Sequence, residues 1–232
     1  MIGIIGAMDS EVRLLKENLT DCKITTIGNL NFYSGLLSGK EVTVVQSGVG
    51  KVNAALCAQL LIIKFNVTKI INSGIAGAVG GDLDVFDFVV SSKTVYHDVD
   101  AVAFGYKLGQ VPGISEVFFN ADEDMANKAI DAFNKTDFSK EHKIIKGLIA
   151  TGDQFVASKE RKDFIKENFA PLCVEMEGCA IAQACFLNKV PFIIVRCMSD
   201  KADETVKSTY TFNETSCAEM SSRFILELIK EL

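Results

Sequence analysis

Short apolar segments rich in Val and Ile alternate along the chain with longer segments of helical periodicity. The apolar segments have the length of strands and predict strands at 2–8, 41–48, 69–77, 87–92, 146–155, 173–177 and 191–200. The intervening periodicity predicts helices at 10–18, 51–65, 122–134, 158–168, 177–187 and 213–231. Strands that alternate with helices predict an α/β fold in which a largely parallel central sheet is covered on both faces.

The chain shows no sign of a division into parts. Because no Pro- or Ser-rich linker, low-complexity tract or internal repeat interrupts it, residues 1–232 are expected to form one domain. The longest stretch without clear periodicity is 98–120. A loop of that length in a compact domain is usually functional or interfacial.

Small and polar residues follow the predicted strands. In open α/β sheets, ligands bind beyond the carboxyl ends of the strands. Those ends carry Met8–Glu11, Ser47–Gly50, Ser73–Gly77, Gly152–Phe155, Glu175–Glu177 and Ser199–Asp200. Acids, small residues and an aromatic ring therefore converge on one predicted rim, where a ligand site is expected.

Composition removes several classes of function. A net charge of −6 spread along the chain argues against a nucleic-acid binder, which should carry a basic patch. The first residues lack the cationic region of a signal peptide, and no apolar run approaches the roughly 20 residues of a membrane span. A cytoplasmic protein without a membrane partner is therefore expected. Seven cysteines without a C-x-x-C pair predict free thiols, and two distant histidines argue against a His-rich metal site.

Two glycine-rich stretches invite a phosphate-binding interpretation that their spacing does not support. The segment SGVGK at 47–51 is followed by Val52 where a P-loop needs Ser or Thr, and GIAGAVGG at 74–81 lacks the G-x-G-x-x-G spacing. Glycine also lets the backbone approach a ligand closely, which favours an uncharged ligand here.

The segment CVEMEG at 173–178 places two glutamates in an apolar context. Acids are costly to bury unless something binds them, and Glu175 and Glu177, two apart on a predicted strand, would share a face. Glu11 and Asp200 are equally compatible with structural roles, as a first-turn acid and as an N-cap. Several carboxylates without a metal or histidine suit cleavage of a glycosidic bond, so a sugar- or nucleoside-cleaving enzyme is expected.

Eight segments occur in this order: IGIIGAMDSEV, QSGVGKVNAA, INSGIAGA, YHDVDAVAFGY, GQVPG, GLIATGDQF, VEMEG and VRCMSDKAD. Together they resemble the 5′-methylthioadenosine/S-adenosylhomocysteine nucleosidases of the purine nucleoside phosphorylase/uridine phosphorylase family, from residue 2 to about 230. The resemblance implies a three-layer α/β/α fold around a twisted mixed, largely parallel sheet, usually in a homodimer. It implies hydrolysis of methylthioadenosine, S-adenosylhomocysteine and 5′-deoxyadenosine to adenine and a 5-substituted ribose, without cofactor or metal.

The resemblance also implies roles for single residues. Asp200 corresponds to the acid that protonates adenine N7, with Ser199 helping to orient it, and Glu11 to the carboxylate that deprotonates the attacking water. Glu177 corresponds to the carboxylate that holds the ribose 2′- and 3′-hydroxyls. Glu175 is interpreted as a lesser ribose or network partner.

Residues around the base and the sugar are implied in the same way. Phe155 matches the ring stacked on adenine, and backbone groups of Phe155 and Val156 match those that read the base edge. Met8, Val49 and Met176 match residues near the sugar and the 5′-thio group.

The 5′ end of the substrate pocket is assigned less directly. Phe104 and Pro112 fall where a partner subunit closes the 5′-substituent pocket. Tyr210 matches an aromatic residue of a flap, with Phe212 as the alternative. Ile75 stands where many members have Ser, which removes a hydroxyl from that point.

Chemistry sets two expectations and leaves three alternatives. Asp200 must hold a proton near neutral pH, so burial should raise its pKa, whereas Glu11 must be ionised and is expected in a more polar setting.

A phosphorylase of the same family would need cations, for which Arg13 and Arg196 are available, although an anion beside Glu11 would be repelled. A hydrolase for another nucleoside, such as futalosine or AMP, is the second alternative. A non-catalytic nucleoside-binding module is the third; it would keep Phe155 and Glu177 but could dispense with Glu11 and Asp200.

Overall fold

The computed structural model describes residues 1–203 and 206–232, and of 206–209, 211 and 212 it describes the backbone alone. The strands within these residues are β1 (Ile2–Gly6), β2 (Thr20–Ile27), β3 (Leu30–Leu37), β4 (Lys40–Gln46), β5 (Lys69–Ala78), β6 (Phe88–Tyr96), β7 (Phe119–Asn120), β8 (Ile144–Thr151), β9 (Cys173–Glu175) and β10 (Phe192–Asp200). The α-helices are α1 (Asp9–Glu17), α2 (Lys51–Phe65), α3 (Glu123–Phe133), α4 (Lys159–Phe169), α5 (Gly178–Asn188) and α6 (Val206–Glu231).

The described strands belong to one mixed sheet, in the order β10-β6-β8-β9-β5-β1-β4-β3-β2, with β7 beside β6. β5 pairs in parallel with β1 on one side and with β10 on the other. Because β10 also pairs with β6, the strands β5, β10, β6, β8 and β9 close into a ring. The predicted α/β fold with a mixed central sheet is confirmed; the ring was not predicted, since strand pairing is not legible in the periodicity.

Helices cover both faces of the sheet, as the alternation of the strands requires. Ile4 and Ile71 belong to the apolar core under α1, α3 and α6, whereas their chain neighbours Ile5 and Ile70 belong to the core under α2 and α5. Successive side chains of a strand point to opposite faces, so a continuous apolar run supplies both cores. The result is three layers.

The predicted helices lie within one residue of α1 to α5, but other parts of the pattern were interpreted wrongly. The last helix begins at Val206 and not at 213, and the strand predicted at 146–155 is Ile144–Thr151. The hairpin β2–β3 was missed because β2 is largely exposed and carries no apolar alternation. The strand predicted at 173–177 ends at Glu175, and Glu177 is the N-cap of α5. Glu175 and Glu177 therefore do not share a strand face.

A membrane span would need a long apolar helix, and none of the helices within the described residues has both the length and the apolar character.

The core under α6 is held by a cluster of phenylalanines around Phe88, which is fully buried. Its ring centroid lies 5.3 Å from that of Phe133, 5.7 Å from that of Phe138 and 5.3 Å from that of Phe224. Phe88→Ala should lower the free energy of unfolding by about 3–5 kcal/mol, because it removes a large apolar group and leaves a cavity. Urea denaturation measures this loss.

The matched control is Ile24→Ala on the edge strand β2, where the side chain is 56% exposed. Its cost should stay below about 1 kcal/mol. Equal costs for the two variants would contradict the assignment of Phe88 as the centre of this core.

Candidate active site

An open cavity of about 570 Å³ lies at the carboxyl ends of the strands, where the sequence predicted a ligand site. Twelve of the fourteen predicted site residues line it: Met8, Glu11, Val49, Ile75, Phe155, Val156, Glu175, Met176, Glu177, Ser199, Asp200 and Tyr210. The position of this cavity agrees with the general rule for α/β sheets. The structure thus brings together residues that are up to 202 positions apart in the chain.

Glu11 projects from the first turn of α1 and is held by the backbone. Its Oε2 accepts hydrogen bonds from the N–H groups of Ala7 (2.7 Å) and Met8 (3.0 Å), and its Oε1 accepts one from Ile75 (3.0 Å). Burial raises the pKa of Glu11, while Arg196 and these N–H groups oppose the rise. The setting is therefore polar in its hydrogen bonds, as expected, but more deeply buried than expected.

The contact between residue 75 and Glu11 does not involve the side chain, so Ile75 can make it as well as the Ser expected from the family resemblance. Ile75 reaches Glu11 through its backbone N–H, which no side chain alters. Gly74, the preceding residue, cannot carry a side chain, since an added Cβ would lie 2.4 Å from Glu11 Oε1. A glycine in β5 thus makes room for the carboxylate.

Asp200 is the last residue of β10 and is buried at the cavity wall. Its Oδ2 accepts a hydrogen bond from Ser199 Oγ (2.7 Å), and its Oδ1 accepts one from the N–H of Ala202 (2.7 Å). Desolvation by burial raises the pKa of Asp200, although both hydrogen bonds act in the opposite direction. This direction agrees with the one expected for a general acid. An added Cβ at Gly77 would lie 2.8 Å from Asp200 Oδ1, so a second glycine of β5 makes room for a carboxylate.

Glu175 is fully engaged with protein groups. Its Oε1 accepts a hydrogen bond from Thr151 Oγ1, and its Oε2 accepts bonds from Arg196 and from the backbone N–H groups of Glu177 (3.1 Å) and Gly178 (2.7 Å). Of the two roles expected for Glu175, these contacts favour the network role over direct contact with a ribose.

Glu177 is held more loosely. Its Oε1 accepts a hydrogen bond from the N–H of Gly50 (2.9 Å), and its Oε2 lies 3.6 Å from Arg196 Nη2. Burial raises the pKa of Glu177, and the neighbouring Glu175 carboxylate adds to the rise. Compared with Glu175, Glu177 retains capacity to accept hydrogen bonds from a ligand.

Arg196 is the buried cation of the site, and its role was not found from the sequence. Its Nη2 donates to Glu175 and to Asn72 Oδ1 (2.6 Å), and its Nη1 donates to the carbonyl oxygen of Val195 (3.1 Å). The sequence analysis considered Arg196 only as a phosphate ligand, because the position of an arginine in a strand does not reveal which carboxylates lie beside it in the fold. An acid-rich apolar segment such as CVEMEG was the signal that a buried cation was required.

Two aromatic rings form the outer wall of the cavity. Phe155 is 53% exposed, and its ring meets that of Tyr210 edge to face, with centroids 5.3 Å apart. Tyr210 Oη lies 3.6 Å from Met8 Sδ. The alternative flap residue, Phe212, has its side chain outside the part of the chain that the structure describes.

Phe104 and Pro112 are the two predicted site residues that do not line the cavity. Both are exposed, and Phe104 is exposed by 85%. Their place on the surface is compatible with the expected contribution to the pocket of a second subunit. It excludes a direct contribution of these side chains to the pocket of their own chain as it stands here.

Comparison with known proteins places this geometry in a family. The model of the phosphorylase superfamily matches residues 1–230. The 5′-methylthioadenosine/S-adenosylhomocysteine nucleosidase of Staphylococcus haemolyticus is 45% identical over 235 residues, which cover all of both chains.

Two solved structures are similar throughout. The nucleosidase of the same name from Colwellia psychrerythraea, solved in complex with adenine, has a TM-score of 0.95 and 42% identity, and the match covers 100% of this chain and 95% of that one. The futalosine hydrolase of Helicobacter pylori has a TM-score of 0.92 and 35% identity, with 100% and 97% covered. This chain belongs to the phosphorylase superfamily.

Proposed function

We propose that the protein hydrolyses the N-glycosidic bond of 5′-methylthioadenosine and S-adenosylhomocysteine, and also of 5′-deoxyadenosine, to adenine and a 5-substituted ribose. The observation that carries the proposal is that two buried carboxyl groups, Glu11 and Asp200, line one cavity. Relatives named for this activity match the chain over its full length. The proposal treats residues 1–232 as one cytoplasmic domain; cell fractionation tests the location.

Asp200 acts as the general acid. Adenine leaves poorly as an anion, so a proton must reach N7 while the bond between N9 and C1′ stretches. The raised pKa keeps a proton on Asp200 at higher pH than for an ordinary carboxyl, and the hydrogen bonds from Ser199 and from the N–H of Ala202 fix its orientation. After transfer, Asp200 is ionised and adenine leaves as a neutral molecule.

Glu11 acts as the general base. Three backbone N–H groups fix its carboxylate, and Arg196 favours its ionised form. As the ribose gains positive charge, a water molecule attacks C1′ and gives its proton to Glu11. Exchange of protons with solvent then returns both acids to their starting states.

Glu177 binds the ribose, and the ionised Glu11 stabilises the charge that the ribose develops. The Oε2 side of its carboxylate can accept hydrogen bonds from vicinal hydroxyls, while Gly50 holds Oε1. Anionic groups near the sugar favour an oxocarbenium-like transition state more than the neutral ground state. Phe155 supplies an exposed ring against which the purine stacks.

The phosphorylase alternative needs a cation to bind phosphate, and the positions of the two arginines considered for that role argue against it. Arg196 already binds Glu175 and lies 3.6 Å from Glu177, and Arg13 is exposed on α1. A phosphate beside Glu11 would face a carboxylate, and neither of these two arginines stands free to offset the repulsion. Futalosine remains a competing substrate, because a futalosine hydrolase matches the fold nearly as well.

Wild-type protein should release adenine from methylthioadenosine without added phosphate, and it should turn over methylthioadenosine faster than futalosine, whose cleavage is followed by release of hypoxanthine. Asp200→Asn and Glu11→Gln should each lower turnover by about 10²–10⁴-fold while the fold is retained, since each removes one proton transfer. Steady-state assays of adenine release and thermal unfolding curves measure the two effects.

Asp124→Asn is the control, because Asp124 forms an exposed ion pair with Lys128 on α3. Its turnover should equal that of wild type. Near-normal turnover in either active-site variant would contradict its role, and adenine release that requires phosphate would favour the phosphorylase.

The dependence of kcat/KM on pH should be bell-shaped. Asp200 must be protonated, so activity is lost as pH rises through its raised pKa; Glu11 must be ionised, so activity is lost as pH falls through its own raised pKa. The acid limb should therefore lie above 4.5, the ordinary pKa of Glu. Rate measurements across the pH range test this, and full activity retained down to pH 4.5 would be inconsistent with Glu11 as the base.

The proposal includes a homodimer in which the second subunit closes the 5′-substituent pocket. Exposed apolar side chains support it: Val52 (70%) and Leu56 (57%) project from the same face of α2, and Phe104 is 85% exposed. Apolar surface of this kind marks interaction sites when it is contiguous.

Analytical ultracentrifugation should find a dimer, and Phe104→Ala should raise KM for methylthioadenosine about tenfold through loss of apolar contact with the 5′-methylthio group. The inhibition constant of adenine should not change, because adenine lacks the 5′ substituent. Phe164→Ala, on the exposed side of α4, is the control and should leave KM unchanged. A monomer with full activity would contradict the proposed dimer.

A further inference from the structure

Three charged residues beside the cavity have no role in the chemistry proposed above. Lys51 Nζ lies 2.6 Å from Asp98 Oδ2 and 3.8 Å from Asp153 Oδ2. The same Asp98 Oδ2 accepts a hydrogen bond from the backbone N–H of Asp153 (2.8 Å), and Asp153 Oδ1 accepts one from the backbone N–H of Lys51 (2.8 Å). Each of the three residues thus contacts both others. They are called the clasp below.

The clasp joins three segments that are distant in the chain. Lys51 opens α2, Asp98 follows β6, and Asp153 begins the segment Asp153–Phe155, called the base loop below, which follows β8 and ends in the ring proposed to stack on the purine. Closing such segments together has a cost in chain entropy, which local contacts must offset. The clasp supplies such contacts at the first residue of the base loop, Asp153.

The start of α2 forms hydrogen bonds with two separate parts of the cavity wall. Its N-cap, Gly50, has φ +101° and no side chain to cap the helix. Carboxylates take the place of a cap: Glu177 accepts the N–H of Gly50, and Asp153 accepts the N–H of Lys51. Acidic groups are favoured at this end of a helix by its free N–H groups and its dipole. Glu177, which is proposed to bind the ribose, and the base loop therefore both accept hydrogen bonds from the N-terminus of α2.

The ion pair of the clasp is more sheltered than an ordinary surface pair. The side chains of Lys51 and Asp98 are 22% and 11% exposed. Lys51 Nζ also lies 5.3 Å from the centroid of the Tyr96 ring, and the Tyr96 hydroxyl donates to Gln183. Partial burial strengthens the attraction relative to fully exposed pairs.

Apart from the clasp, the described contacts of the base loop include the edge-to-face contact between Phe155 and Tyr210. Asp153, Gln154 and Phe155 are all exposed. Gly152, just before them, is packed against His97, where an added Cβ would lie 2.3 Å from the imidazole. The contacts of Asp153 with Asp98 and with the start of α2 thus tie the exposed loop to the rest of the structure.

We propose that Asp98 is a positioning residue: by holding Lys51 and the backbone of Asp153 together, it sets the orientation of the base loop and hence the affinity for the purine. The inference rests on the proposed function, since it takes adenine as the ligand of the loop. It concerns binding of the base and not the ribose, because Glu177 keeps its own bond to Gly50 when the clasp is opened.

The test compares Asp98→Asn, Lys51→Met and the double variant with wild type. Asparagine keeps an oxygen for the N–H of Asp153 but loses the charge that binds Lys51, and methionine keeps the apolar stem over Tyr96. The dissociation constant of adenine, measured by calorimetry, should rise about tenfold in each single variant, as for the loss of a hydrogen bond to a charged group. The double variant should resemble the single ones, because all three break the same contact.

The ratio of the affinities for adenine and for 5-methylthioribose separates the proposed role from a merely structural one, which would not change that ratio. Affinity for 5-methylthioribose should change less than twofold, and so should all constants of the control Asp124→Asn, which breaks an exposed Lys–Asp pair. Unchanged adenine affinity in Asp98→Asn, or equal losses for adenine and 5-methylthioribose, would overturn the inference. Wild-type protein that fails to bind adenine would instead contradict the proposed function.

Discussion

Burial of one guanidinium among several carboxylates is the constraint around which the cavity is built. Arg196 lies on β10 with 1% of its surface exposed, and it binds Glu175, faces Glu177 and favours the ionised form of Glu11. Isolated buried carboxylates would be unstable, and one cation with good hydrogen bonds offsets part of that cost. Asn72 completes the arrangement, because its side chain accepts from Arg196 and donates to the carbonyl oxygen of Ile5, which links β10, β5 and β1.

The central strand β5 lies between the two proposed catalytic acids, and its glycines leave room for their carboxylates. β1, which leads into Glu11, pairs on one side of β5, and β10, which ends in Asp200, pairs on the other. Gly74 and Gly77 face these carboxylates, and any side chain at either glycine would occupy their space. Small residues in INSGIAGA are therefore explained by close approach of carboxylates to the strand and not by a phosphate. The two acids sit in different environments: Glu11 accepts from three backbone N–H groups and lies in the field of Arg196, whereas Asp200 accepts from a serine and one N–H.

The cavity wall has a rigid side and a lightly held side. Glu11, Glu175 and Arg196 belong to strands or to the first turn of a helix and are tied by several bonds each. Phe155 and Tyr210 are carried by an exposed loop and by the early part of α6, and they contact each other edge to face. A wall of this kind fixes the reacting groups while it leaves the entrance open to substrate and product. The clasp of Lys51, Asp98 and Asp153 connects the two sides at the start of α2.

The sequence by itself determined the α/β class, the helices α1 to α5 to within one residue, and the set of strand ends at which the cavity lies. These follow from local periodicity and from the rule that ligands bind at the carboxyl ends of strands. Only the tertiary structure decided that Glu175 is bound by Thr151 and Arg196, that Glu177 stands at the N-cap position of α5, and that the pairing of β10 with β5 and β6 closes a ring. Phe104 and Pro112 could be named from resemblance, but their exposure on this chain emerges only from the fold. The physical reason is that periodicity records which face of an element is apolar, whereas the partner of a buried charge depends on strand pairing between segments far apart in the chain.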